Sequence, residues 1–344
     1  MIVFDAPVSP ADLTVFVRSV PTPSNLILSA LFPETTRPEN TVNFTEITKT
    51  NRTARFRSFD GRIHVADRDG GSDRVVKLPA LSDSRNKGEY ERLQLAMAQF
   101  GGTRTEALCQ AVYNDAQDLV GYIRNRMELA ISDLLVDGKL TVSENGFTAE
   151  YDYGVAAGNK PTAGTAWSNH ATATALSDLI AWADAYEAAT GERPASVLTS
   201  RSAVRHFQQN TELINAVKGA QTGVTRVSLA DAAGVLEDEG LPTNWIVDET
   251  NLDVDGTTTR VWPVDKLSFL PANPGDLLEV RYGLTATALE LVNSNEVDMS
   301  FEDAPGIVGV VEKQGPPYRE FTFVDATGMP IVKDAKKVFT ADVL

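Results

Sequence analysis

Residues 103–136, "TRTEALCQAVYNDAQDLVGYIRNRMELAISDLLV", carry the longest helical pattern in the chain. Leu108, Val112, Ala116, Leu119, Ile123, Met127, Ile131 and Leu134 recur at spacings of four and three, which places them on one face of an α-helix. Thr103 and Glu106 fit a capping box, and Gly138 is an end signal. About 34 residues at ~1.5 Å each give a rod of roughly 50 Å, far longer than the average helix. A single apolar stripe on such a rod must lie on something. The heptad phase lapses at Gly121, so a strut across a domain is favoured over a coiled coil. On this phase Ile123 and Met127 face a sheet, while Arg124 and Arg126 face away.

The chain supplies strand patterns on both sides of the strut. Residues 41–79 alternate as "TVNFTEITK", "TARFRSF", "RIHVAD" and "RVVKLP", divided by turn chemistry in "FDG" and "DRDGGSD". Two or three strands alone bury too little to stand, so this ribbon must rest on another surface. Residues 1–40 are broken by Pro7, Pro10, Pro21, Pro23, Pro33 and Pro38 and read as an arm. The arm has short elements at "ADLTVFVRSV" and "SNLILSALF" but no core of its own. After the strut, "TVSENGFTAEYDYG" is a hairpin turned at Asn145-Gly146. Residues 312–332, "EKQGPPYREFTFVDATGMPIV", read as a strand, a Pro-Pro turn, an alternating strand, a Gly turn and a further strand.

Between these β segments lies a stretch of different character. "ATALSDLIAWADAYEAATG" is a helix with Leu176, Leu179, Ala183 and Tyr186 inward; "PASVLTS" is a short buried strand. Short helices follow in "SRSAVRHF", "TELINAVK" and "SLADAAGVLEDEG", then strands in "NWIVDE", "RVWP" and "KLSFLP". Such mixing predicts a compact α+β unit over 165–290.

Charge is unevenly spread. The whole chain carries −16, and residues 137–325 alone hold 12 Lys/Arg against 28 Asp/Glu. Residues 49–77 reverse the sign, with 8 Lys/Arg against 4 Asp. An acidic body argues against general coating of nucleic acid. A basic ribbon on an acidic body predicts that one touches the other on a neighbouring copy.

Candidate chemistry is thin. Cys109 is the lone cysteine, in a helical setting beside Leu108 and Val112, and reads as a core residue. Asn251, Asp253, Asp255 and Gly256 imitate the start of a calcium loop, but the twelfth position is Trp262, so a surface hairpin tip is expected. His64, His170 and His206 share no metal-ligand spacing. The N-terminal stretch lacks the basic and apolar runs of a signal peptide, and no apolar run is long enough to span a bilayer. The lone cysteine fits a reducing, cytoplasm-like compartment. No catalytic residue, cofactor or metal is assigned.

The order of parts resembles the lambda-type tailed-phage major capsid protein (protein E) family. The resemblance rests on "VVKLPALSDSRNKGEYERL", on "LSDLIAWADAYEAATGERPASVLTSRSAVRHF", and on "GIVGVVEKQGPPYREFTFVDATGMPIV". It implies an α+β fold of the Hong Kong 97 type, with 1–40 as N-terminal arm and 41–90 as extended loop. Residues 91–160 and 291–344 would then form a peripheral domain around the strut, and 161–290 an axial domain. It also implies a structural protein, not an enzyme, that self-assembles into pentamers and hexamers of an icosahedral shell around double-stranded DNA. The implied location is the virion capsid, built in the host cytoplasm. The implied partners are other copies, scaffolding protein, portal and decoration proteins, and packaged DNA on the inner face without sequence specificity; no membrane is involved. Phe4, Phe16, Phe32, Arg52, Arg55, Arg57 and Arg62 are the candidate contacts between copies. The alternatives are an encapsulin-like compartment shell and an α+β hydrolytic enzyme.

Overall fold

The strut is present in the computed structural model as α3 (Arg104–Asp137), preceded by α1 (Pro10–Ser19) and α2 (Ile27–Leu31). The structure describes residues 8–45, 73–90, 104–144, 146–220, 223–294, 300–315 and 319–344. From Val112 to Leu134 every residue of the expected stripe is at most 3% exposed. Gly138 ends the helix at φ +67°, its N–H donating to the Leu134 carbonyl at 2.8 Å. A Cβ there would lie 2.6 Å from Val155 Cγ2, so the stop is fixed to glycine twice over. Thr103 of the expected cap lies outside the described residues.

The stripe packs on a five-stranded sheet of β1 (Glu34–Thr36), β4 (Ala80–Lys87), β12 (Leu278–Tyr282), β13 (Val308–Gln314) and β14 (Arg319–Val332). The remaining strands are β2 (Thr41–Thr45), β3 (Asp73–Lys77), β5 (Lys139–Glu144), β6 (Phe147–Asp152), β7 (Ser196–Thr199), β8 (Asn244–Val247), β9 (Asn251–Val254), β10 (Thr257–Arg260), β11 (Lys266–Leu270) and β15 (Phe339–Asp342). β14 is the axis of the first sheet. It runs antiparallel to β4 over Glu320–Thr327, to β13 over Arg319–Asp325, and to β12 over Gly328–Val332; β1 joins β12 in parallel.

The expected Gly turn at Gly328 is absent: β14 runs straight through it. A Cβ there would sit 2.7 Å from the Arg281 carbonyl and 2.8 Å from the Tyr282 ring, so this glycine serves close strand contact. Pro316 and Pro317 lie outside the described residues.

A second sheet, ordered β15–β11–β7–β8, carries α4 (Ala175–Thr190), α5 (Arg201–Gln209), α6 (Thr211–Lys218) and α7 (Leu229–Asp238). Its core is aromatic: Trp167, Tyr186, Phe207, Phe269 and Phe339 are at most 1% exposed. The strand expected at 260–263 is not formed. β10 stops at Arg260, because its partner β9 begins opposite, at Asn251. The hairpin turns on Asp255 and Gly256, at φ +51° and +80°, and Asp253 Oδ1 accepts the Gly256 N–H at 2.7 Å. That acid holds the turn. α8 (Ala286–Val292) follows β12.

Two strands cross the expected boundaries. β12, from within 161–290, pairs with β14 beside the strut; β15, from within 291–344, pairs with β11 in the other sheet. The N-terminal segment has packing that its prolines did not suggest. From residue 8 onward it folds onto its own chain, with Val8, Leu13, Val17, Val20, Leu26, Leu28 and Phe32 in the strut core. The reason is the amphipathic face of α1, which packs on the outer edge of β13. There Thr14 Oγ1 donates to the Gly309 carbonyl at 3.3 Å and accepts its N–H at 3.4 Å.

Candidate assembly surface

The N-terminal segment is fastened by charge as well as by packing. α2 has no side-chain cap of its own at Leu26. Glu128, fully buried on α3, supplies one from outside. Its Oε1 accepts the Leu28 N–H at 2.8 Å, and its Oε2 accepts the Ser29 N–H at 2.6 Å and the Ser29 hydroxyl at 2.5 Å. Burial nevertheless pushes this carboxyl above its ordinary pKa, with Asp248 adding to the effect. Arg18 on α1 donates to the carbonyls of Ile307, Asp303 and Ala304, tying down the 303–307 loop.

Ions also join α3 to β4. Lys87 Nζ lies 2.6 Å from Asp115 Oδ2, and Arg85 reaches Asp118 at 2.7 Å and the Tyr122 hydroxyl at 2.7 Å. Arg124 departs from its expected outward placement: it is 5% exposed, with Glu34 of β1 3.9 Å away. The N-terminal segment covers that flank of the strut, which the periodicity of α3 alone could not reveal. Arg126 is half-exposed and pairs with Glu144 of β5 at 2.9 Å.

The candidate contacts fare differently. Phe32 is 2% exposed and lies in the chain's own core. Phe16 is half-buried, its ring 4.6 Å from that of Tyr113. Phe4, Arg52, Arg55, Arg57 and Arg62 lie outside the described residues.

What the described surface does present is apolar and open. Val15 on α1 is 70% exposed, and Phe147, beside the turn of the β5–β6 hairpin, is 46% exposed. Phe147 overhangs a cleft of about 840 Å³ between α3, this hairpin, the β3–β4 connection and β14. Its walls include Leu78, Leu81, Met127, Leu140 and Met329, with Arg126 and Glu144 also lining it. The sequence signal was an aromatic residue set directly after Asn145-Gly146. Among the described residues no three His, Cys, Asp or Glu gather as metal ligands, and no helix is long and apolar enough to cross a membrane.

This architecture matches solved structures along its length. A prophage protein of E. coli CFT073, whose crystal structure is described as that of a capsid protein, aligns with a TM-score of 0.65 at 15% identity, covering 100% of both chains. A phage-related protein of Bordetella bronchiseptica RB50 aligns with a TM-score of 0.54 at 13% identity, covering 97% of this chain and 96% of that one. At such identities the likeness is one of fold, and the fold is the capsid type named for Hong Kong 97. No curated protein matches the sequence. The phage major capsid protein E family matches residues 9–305, and the chain belongs to that family. It is a structural protein of the virion capsid and not an enzyme.

Proposed function

We propose that the chain associates with copies of itself into five- and six-membered rings, and that these close into an icosahedral shell around double-stranded phage DNA. The carrying observation is the cleft under Phe147. It is an apolar groove on an acidic body, left open in the single chain, and it borders the β3–β4 connection. A ring of one chain needs two unlike patches, one fitted to the other on the next copy. Obligate contacts of this kind commonly bury upwards of roughly 2,000 Å².

In this reading residues 41–90 form an extended loop, with Arg52, Arg55, Arg57 and Arg62 meeting a neighbour's acidic surface. Residues 91–160 with most of 291–344 form the peripheral domain, and most of 161–290 the axial domain; β12 and β15 change places between them. Residues 8–36 stay with their own subunit. A scaffolding protein, a portal and decoration proteins act with it in the host cytoplasm, and DNA lies against the inner face without sequence readout.

Electron microscopy and sedimentation of the purified protein, alone and with its scaffolding protein, test this. Rings or closed shells are expected. A chain that stays monomeric in both conditions overturns the reading.

A further inference from the structure

His170 and His206, two of the three histidines in the chain, meet although 36 residues apart. His170 Nε2 and His206 Nδ1 are 2.9 Å apart, both rings half-buried. The contact belongs to a seam that holds the 169–174 turn against α5 and α6. The His170 carbonyl accepts the Thr211 N–H at 2.9 Å, and the Ala173 carbonyl accepts Asn210 Nδ2 at 2.8 Å. On one side the seam opens onto a cavity of about 620 Å³, walled by His170, Gln209, Ile214, Asn215 and Arg226. Of the seam's links, only the imidazole pair changes charge in the mildly acidic range.

We propose that the His170–His206 contact is an acid-released clasp, which holds the 169–174 turn on α5 and α6 at neutral pH and opens when both rings are protonated. A neutral pair shares one N–H between the facing nitrogens. A single added proton is accommodated on an outer nitrogen, but two imidazolium rings put two donors and two charges face to face. The cavity gives the displaced ring somewhere to go.

The neighbouring charges give no relief. Arg201 and Arg205 on α5 and Arg226 on the cavity wall are cationic. Glu212 of α6 is committed to the start of α4 through Leu176 and Ser177; Asp178 of α4 accepts from Trp167; Lys218 pairs with Asp231. Burial, then His170, holds the His206 pKa below its ordinary value. The clasp's stability is therefore complete above the unfolded pKa of about 6.5 and is lost as pH falls from there through the lowered folded value.

Amide hydrogen exchange on the unmodified, unassembled protein at pH 7.5 and 5.0 tests this, after correction for intrinsic rates. Exchange at residues 170–174 and 210–215 is expected to rise severalfold in acid, while α3 stays protected. Thermal melts over the same range should show a steeper acid loss for the native chain than for His206→Gln. Unchanged exchange along the seam overturns the proposal, as do parallel pH profiles for the native chain and a folded His206→Gln variant.

Discussion

Glu128 is a buried carboxylate whose hydrogen-bond donors come from a helix end and a hydroxyl, with no cation among them. Replacing it with alanine leaves the Leu28 N–H, the Ser29 N–H and the Ser29 hydroxyl without their acceptor and opens a void. Glu128→Ala should cost about 3 kcal/mol in a denaturant melt. Glu128→Gln should cost less, because one oxygen still accepts, but its NH₂ must face a donor. The raised carboxyl also fixes a sign. Its contribution is fully present below the unfolded pKa near 4.3 and is lost as pH rises through the folded value. The stability gap between the native chain and Glu128→Gln should therefore widen in acid, read as Tm against pH. A gap that narrows in acid would contradict this sign. Nothing in the sequence marks Glu128, or Arg124 one turn earlier, as interior. Each follows a stripe residue, and charged flanks are ordinarily solvated. What buries them is a segment some hundred positions away.

At the scale of elements, α3 was legible because its period is long and uninterrupted, so its phase fixes a face without knowledge of the partner. Ile123→Asp would place an unpaired charge at a site 3% exposed, at a cost of several kcal/mol, and soluble protein should be lost. Unchanged yield and Tm would show that this face is misassigned. β14 was read as two strands because Gly328 and Pro330 look like punctuation. Both are tolerated for local reasons. Gly328 lies against β12, while Pro330 sits opposite Val280 in the register, where its carbonyl accepts the Tyr153 hydroxyl at 2.9 Å. The missing N–H of Pro330 thus breaks no ladder bond. Gly328→Ala should cost about 2 kcal/mol by overpacking against the Arg281 carbonyl, with the melt as readout. The hairpin at 251–260 was legible for the converse reason: its turn needs only neighbours in sequence.

At the scale of the molecule, the family was legible from the order of parts, and the packing of the N-terminal segment was not. Prolines suggested an arm, yet α1 starts with Pro10 at a helix N-terminus, where proline belongs. Two predictions concern association between copies. Phe147 is exposed in the single chain, so Phe147→Ser should leave Tm within about 0.5 kcal/mol of native stability while reducing ring and shell yield in sedimentation. The basic 49–77 stretch and the acidic body imply that assembly slows as salt rises, since screening shortens their reach to roughly 10 Å at ~0.1 M. Reversing Arg55 and Arg57 to Glu should block assembly without unfolding the chain. Light-scattering kinetics indifferent to salt and to the reversal would leave those arginines without this role. The exchange of β12 and β15 between the two sheets has a mechanical meaning. The far end of α3 is clamped where Thr340 of β15 donates to the Leu135 carbonyl at 2.7 Å, and Asn159 ties the approach to β15 through the carbonyls of Lys336 and Val338. A load applied along the rod is therefore delivered to both sheets at once. With strands laced in both directions, the described residues do not divide into two halves about a single pivot, so in the proposed shell bending is expected at the joints between subunits.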